Sequence, residues 1–414
     1  MEYINSLSSN IIEIDISNKN LSILPDLSRF IYLRKLNCSH NQLTQINNLP
    51  SSLLILDCSN NQLTRLDNLP RSLQILNCSC NQLIQLDNLP PLRILWCYIN
   101  QITQLDNLPS SLQKMDCSHN QLSQLDNLPS SLLNLDCSWN YITQLNNLSN
   151  LTSLQKLDCS YNTLTQLDNL SFSLSKLYCS WNRLTQLDNL PLSLQELSCS
   201  FNQITQLDNL PSSLQNLYCD SNQLTLLDNL PVSLKELQCS YNKITQLNKL
   251  PLIKILDCSS NKLTKLDNLP ITLQELQCSN NKLIQLDNLP SSLLVLHCTN
   301  NQITQLDNLP SSLQILNCLN NQLTKLDNIP FSLYCLNCLY NNMENNKLKY
   351  WKEQTKNKKL KLLKEKFSAR KIQKIWRKYW YDIYKYELID GEYIGFCRFI
   401  EKSYSIINDN NKCF

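Results

Sequence analysis

Three residue types in this 414-residue chain have the chemistry for a site: cysteine as nucleophile or metal ligand, histidine as base or ligand, aspartate as cation ligand. Of 20 cysteines, sixteen recur at Cys38, Cys58, Cys78, Cys97, Cys117, Cys137, Cys159, Cys179, Cys199, Cys219, Cys239, Cys258, Cys278, Cys298, Cys318 and Cys338. The step is 20 residues, apart from two steps of 19 and one of 22. A straight row of thiols makes a poor zinc site, which needs four ligands converging on one point. Disulfides between neighbours are feasible by distance, but inward side chains on in-register parallel strands are badly aimed at each other. The segment Met1–Asn10 has neither a basic start nor an apolar run, so no secretion signal is read. The expectation is a cytoplasmic location with the cysteines as thiols, packed as small hydrophobes.

The other chemistries fail on placement. His40, His119 and His297 belong to the first, fifth and fourteenth cysteine units. At ~4.8 Å per unit their neighbours are about 20 and 45 Å apart, too far to share a substrate or ion. The aspartates Asp67, Asp87, Asp106 and Asp126 could form a calcium ladder, but the glycine-rich loops of calcium-binding solenoids are missing and turn capping accounts for them. The two glycines are Gly391 and Gly395, so no P-loop, dinucleotide fingerprint or nucleophile elbow exists. Cys397 and Cys413 have no histidine in their segment to activate them. No cofactor or metal is expected, and no catalysis. The composition, 42 % hydrophobic and 17 % charged, is that of a folded chain.

What positions the cysteines is a repeat. Aligned on Cys58, the unit reads Leu53, Leu56, Cys58, Asn61, Leu63, Leu66, Asp67, Asn68, Leu69, Pro70. Every one of the sixteen cysteines has Asn three residues later and Leu or Ile five residues earlier. Around the cysteine, in and out alternate with period 2, which predicts a short strand. Asn turns inward to satisfy backbone, and Asp-Asn-Leu-Pro turns the chain on the outer side. An earlier unit, with Ile11, Ile14, Ile16 and Leu21 but Lys19 at the Asn position, reads as an N-terminal cap.

These residues resemble the leucine-rich repeat family, and the short unit with proline is similar to its bacterial-type subclass. The fold class expected is a solenoid of about 17 short parallel β-strands, roughly 80 Å long, with extended or 3₁₀ outer segments and a basic α-helical tail. The strands should line a concave face. The wealth of Asn, Ile and Lys and the single alanine, Ala369, suggest an AT-rich genome, and the cysteine-bearing repeats with a basic tail resemble those of giant amoeba viruses of the mimivirus type. That resemblance implies the host cytoplasm.

Residues beside the cysteine are expected on the concave face. The residue after it is serine in eleven units, Ser39 to Ser279, which predicts an exposed hydroxyl stripe. Two places after it come Trp139, Tyr161, Trp181, Phe201 and, past Ser221, Tyr241; just before it come Trp96, Tyr178 and Tyr218. These eight aromatics are the predicted partner-binding patch, since exposed rings favour protein contact; stacking on one another at the rim is the alternative. Lys114, Lys156 and Lys176 share a column with Glu196, Glu236 and Glu275, giving a face basic early and acidic late, which could orient a partner or simply be solvated.

Residues 344–414 carry 18 Lys and Arg against 9 Asp and Glu, and the residues before them 19 against 25, so a net +9 follows a net −6. The division predicted is 1–32 cap and degenerate repeat, 33–343 array of sixteen units, 344–386 basic amphipathic helix, and 387–414 short segment with a hairpin signal at Asp390-Gly391. Ile372, Ile375, Trp376, Tyr379 and Ile383 fall on one helical face. Ile372, Gln373 and Arg377, with Trp376, resemble the start of an IQ motif, which implies a calmodulin-like partner. Lys378 and Asp382 depart from that motif. A helix capping the array, a membrane-surface segment, or phosphate contacts without sequence preference are the other readings. The function expected is a non-catalytic scaffold binding a protein partner. An effector with ubiquitin-ligase activity is an alternative, for which the 71-residue tail is short.

Overall fold

A computed structural model describes residues 4, 6–146 and 148–343; the tail, with its IQ-like segment, lies outside the described residues. Seventeen three-residue strands form one parallel sheet. In chain order they are β1 (Glu13–Asp15), β2 (Lys35–Asn37), β3 (Ile55–Asp57), β4 (Ile75–Asn77), β5 (Ile94–Trp96) and β6 (Lys114–Asp116). Next come β7 (Asn134–Asp136), β8 (Lys156–Asp158), β9 (Lys176–Tyr178), β10 (Glu196–Ser198), β11 (Asn216–Tyr218) and β12 (Glu236–Gln238). The last are β13 (Ile255–Asp257), β14 (Glu275–Gln277), β15 (Val295–His297), β16 (Ile315–Asn317) and β17 (Cys335–Asn337). Each strand pairs with its sequence neighbours and no residue of register is lost at the irregular steps: Glu236 faces Ile255 across a 19-residue step, and Asn134 faces Lys156 across the 22-residue one. The extra residues of the long unit are absorbed on the outer side, where a 3₁₀ turn spans Leu148–Asn150.

One continuous core runs the length of the solenoid. In each unit but the last, the middle strand residue, the cysteine and the Leu or Ile five before, five after and eight after the cysteine are buried, while in the last unit Leu336, Cys338 and Met343 pack only partly. The asparagine does more than cap its own turn. Asn61 Nδ2 donates to the carbonyls of Cys58 and Ser59 in its own unit and of Cys38 in the unit before, and its Oδ1 accepts from Leu43 N. The same pattern recurs from Asn41 to Asn341, so the amide column stitches neighbouring coils together. At the first unit Asn41 closes on the cap, accepting from Lys19 N and Leu21 N.

Serine hydroxyls form a second ladder. The serine before the inward leucine, as in Ser72, Ser193, Ser213 and Ser292, places its hydroxyl 2.6–2.8 Å from two carbonyls of the preceding unit, which share its single proton. Scarcity of glycine also gains a reason. The Asn of Asp-Asn-Leu-Pro, from Asn48 to Asn328, takes φ of 49–57°, with Lys249 standing in once. Asn is the residue besides glycine that tolerates this left-handed region best.

Candidate interaction face

Fifteen of the register cysteines are buried, Cys338 at the last unit is partly so, and none of the eighteen described cysteines is disulfide-bonded. Burial pushes the thiols up, to about 12 for Cys38 and Cys78, because the thiolate would lose its hydration in an apolar core. Differential alkylation followed by mass spectrometry should therefore label Cys335, Cys80 and Cys338 in the native array, and the buried fifteen only after unfolding. Labelling of Cys199 or Cys219 in native protein would mean that the coils open.

The serine column departs from its expected exposure. Ser39, Ser59, Ser79, Ser118, Ser138, Ser160, Ser200 and Ser240 are buried and Ser180, Ser259 and Ser279 half-buried, so no hydroxyl stripe faces solvent. The reason is a local bond: the hydroxyl reaches back to the acid or amide that ends the strand, Ser59 to Asp57 at 2.6 Å and Ser79 to Asn77 at 2.6 Å.

The cause of that fold-back is the next residue. At all sixteen units the second residue after the cysteine has φ of 52–57°. Its N–H donates to the carbonyl of the next unit's serine position, as for Trp139, Tyr161, Trp181 and Phe201 at 2.9–3.0 Å. Asn60, Asn280, Asn300 and Asn320 suit this backbone, but Trp139, Tyr161, Trp181 and Phe201 do not, at a cost of about 1–2 kcal/mol each. The Asn at four of these positions was the signal that would have revealed the conformation.

The left-handed turn stands these side chains in a single file. Among the described residues five rings stack: His119 on Trp139 at 4.9 Å, Trp139 on Tyr161 at 3.9 Å, Tyr161 on Trp181 at 5.2 Å and Trp181 on Phe201 at 4.0 Å, all within 11–13° of parallel. Ser221 interrupts the file, and Tyr241 stands beyond it, 64 % exposed. Trp181 and Phe201 are exposed at their edges, while Trp139 and Tyr161 are half-buried.

The three aromatics that precede a cysteine lie elsewhere on the open face. Tyr178 on β9 and Tyr218 on β11 flank Ser198; Tyr178 donates to Glu196 at 2.9 Å, and Lys156 Nζ lies 5.2 Å above its ring. Trp96 on β5 is four strands from Tyr178, about 19 Å at the parallel spacing. Among the described residues, then, the aromatics are arranged as a ring stack, a tyrosine pair and two outlying rings rather than as one continuous patch. The charge column begins each strand, and its basic and acidic halves meet in the Lys176–Glu196 ion pair at 2.9 Å. Glu236 accepts from Asn216 and Gln238, and burial pushes the Tyr218 phenol beside it up. Among the described residues no group of three potential metal ligands converges, and no helix is long and apolar enough to cross a membrane.

The repeat fold has counterparts among solved structures. YopM from Yersinia enterocolitica WA-314 is 32 % identical, matching 81 % of this chain and 88 % of its own, with a TM-score of 0.62. YopM from Yersinia pestis, described as a leucine-rich effector protein, is 34 % identical over 79 % of this chain and 88 % of its own, with a TM-score of 0.65. This chain belongs to the leucine-rich repeat family. The leucine-rich repeat array is also similar to the functional domain of InlJ from Listeria monocytogenes, described as including a cysteine ladder, at 28 % identity over 76 % of this chain and 69 % of that one, TM-score 0.59. No family model and no curated relative matches the leucine-rich repeat chain.

Proposed function

We propose that this leucine-rich repeat protein is a non-catalytic scaffold that holds a protein partner on the open, concave side of its sheet, with the ring stack from His119 to Phe201 as the main anchor. The observation that carries this reading is the backbone under the rings. Four bulky aromatics occupy positions where the same chain uses Asn at lower conformational cost, and ring-on-ring stacking returns only about 0.5–1.5 kcal/mol per pair. The exposed edges of Trp181 and Phe201 give the partner rigid apolar area of the kind that dominates interfaces. Tyr178, Tyr218, Trp96 and Tyr241 extend the surface to either side. The setting that goes with this reading is the cytoplasm of an amoebal host. A calmodulin-like protein on Ile372, Gln373, Trp376 and Arg377 would be a second partner, supported by sequence pattern alone.

The test is a Trp139→Asn, Trp181→Asn double variant, chosen because Asn suits the left-handed backbone. The full chain, immobilised, should capture a defined protein set from amoeba lysate, and the variant should lose at least about 30-fold of that capture. Its unfolding midpoint should stay within a few degrees, since relief of the backbone offsets the lost stacking. Leu252→Ser, at an exposed position on the other edge, should change nothing. An unaltered captured set from the double variant would mean the partner uses another surface.

A further inference from the structure

Past Phe201 the file of rings gives way to small polar residues, with Ser260 and Asn280 following Tyr241 in the next two units. The drop in side-chain size leaves an open hollow of about 320 Å³ over β12–β15. Tyr241 stands at its N-terminal end, and Asp257, Ser259, Gln277 and His297 contribute to its lining. The carboxylate of Asp257 is oriented by Ser259 N–H, which donates to Oδ1 at 2.9 Å.

The carboxylate of the lining is Asp257, and the charges of Asp220 and Glu275 act on it, while Lys243, Lys262 and Lys282 each sit two residues past a lining residue. Asp220 lies two strands before Asp257, held by Ser240 N–H and hydroxyl at 2.8 Å, and Glu275 lies on the next strand. Among the described residues no salt bridge reaches Asp220, Glu236, Asp257 or Glu275. His297 is no counter-ion at neutral pH, because burial pushes its imidazole down toward the neutral form. A partly buried carboxylate with acidic neighbours gains from any cation that enters, and an exposed ring face beside it adds a cation–π contact.

We propose that the hollow beside Tyr241 receives an arginine side chain of the protein partner, its guanidinium paired with Asp257 and stacked against the Tyr241 ring. Arginine fits better than lysine because its planar fork can address a carboxylate with two N–H groups while its face lies on a ring. A neutral, hydroxyl-rich ligand would also meet serines and a ring, but it would leave the acidic group without counter-charge. The proposal rests on the scaffold reading above and adds to it the chemistry of the partner.

The full chain is titrated with N-acetyl-arginine amide and with its neutral isostere N-acetyl-citrulline amide, by isothermal calorimetry. The arginine probe should bind saturably at about millimolar affinity, the level open to a group of this size, and the citrulline probe at least about tenfold more weakly. Asp257→Asn and Tyr241→Asn should each weaken the arginine probe about tenfold or more. Both variants are compatible with the fold, since Asn occupies the position of Asp257 at the end of β16 and β17, at Asn317 and Asn337, and the position of Tyr241 at Asn280, Asn300 and Asn320. Unchanged far-ultraviolet circular dichroism verifies that. Equal binding of the two probes, no saturation, an unaltered affinity in folded Asp257→Asn, or tighter binding of N-acetylglucosamine than of the arginine probe would each overturn the proposal. The scaffold reading is judged separately by the Trp139 and Trp181 variant: capture lost there while the arginine probe fails to bind leaves the scaffold standing and removes only this hollow from it.

Discussion

Asn202→Ala should lower the stability of the array by about 3–5 kcal/mol, the largest effect expected of any single substitution away from the apolar core. Asn202 Nδ2 donates to the carbonyls of Cys179 and Cys199 at 3.0 Å and Ser200 at 3.2 Å, and Oδ1 accepts from Leu184 N at 3.0 Å. The side chain is buried, so alanine would strand a backbone N–H and at least two carbonyls without water, at about 1–3 kcal/mol each before relaxation. These groups belong to two units, so the loss falls on a junction. In a quasi-one-dimensional array, a weakened junction uncouples the two sides. Urea unfolding should therefore show an earlier and broader transition with a smaller m-value, as the cooperative unit shrinks. A loss below about 1 kcal/mol would mean that water enters and takes over the amide's partners.

Asp136→Asn should do the opposite and stabilise the protein, by about 2 kcal/mol at pH 8 and by no more than the worth of one added amide bond, about 1 kcal/mol, at pH 3. Early in the array the column that ends each strand alternates acid and amide, and the amide bridges: Asn37 Nδ2 donates to Asp15 and Asn77 Nδ2 to Asp57, both at 3.1 Å. At β6, β7 and β8 the alternation fails, and Asp116, Asp136 and Asp158 stand in register on adjacent strands. Burial, and then the Asp136 charge, push the Asp158 carboxyl from 3.8 up to about 7. The native state thus holds more protons than the unfolded chain between about pH 4 and 7, so stability from this group is full below that window and is lost as pH rises through it. Of the cost of ionising this buried carboxyl the substitution recovers the part owed to Asp136, and it adds one amide bond to Asp116. Urea midpoints across the pH range would check this. An equal gain at pH 3 and pH 8 would assign the effect to the hydrogen bond rather than to charge.

The solenoid was legible because its core is a pattern of identity: Leu, Cys and Asn recur at set offsets, and each offset has one physical role. The face was harder. Period-2 alternation places Ser59 outward because Asp57 is outward, yet the chain leaves strand geometry one residue later, at Asn60, and the serine folds under. The clue was pairwise. In the early units Ser follows at two residues from Asp57, Asn77, Asp116, Asp136 and Asp158, while Trp96, which cannot accept such a bond, is followed by Tyr98; later units are looser, with Ser180 after Tyr178 and Leu319 after Asn317. The ring stack was foreseen as one of two arrangements for Trp139, Tyr161, Trp181 and Phe201, but neither His119 as its first member nor the break at Ser221 follows from hydrophobicity. Both depend on backbone conformation, which the Asn-bearing units carry and the aromatic ones conceal.

The coil-to-coil register, kept through steps of 19, 20 and 22 residues, has a consequence for heredity. Stretches such as Leu-Asp-Asn-Leu-Pro-Ser-Ser-Leu recur verbatim from Leu105, Leu125, Leu207, Leu286 and Leu306. Misaligned recombination between such near-identical gene segments would insert or delete whole coils, and every junction would still find its asparagine. The array can thus change length without passing through a misfolded ancestor, and a ring can be shuffled in or out of the file as one cassette.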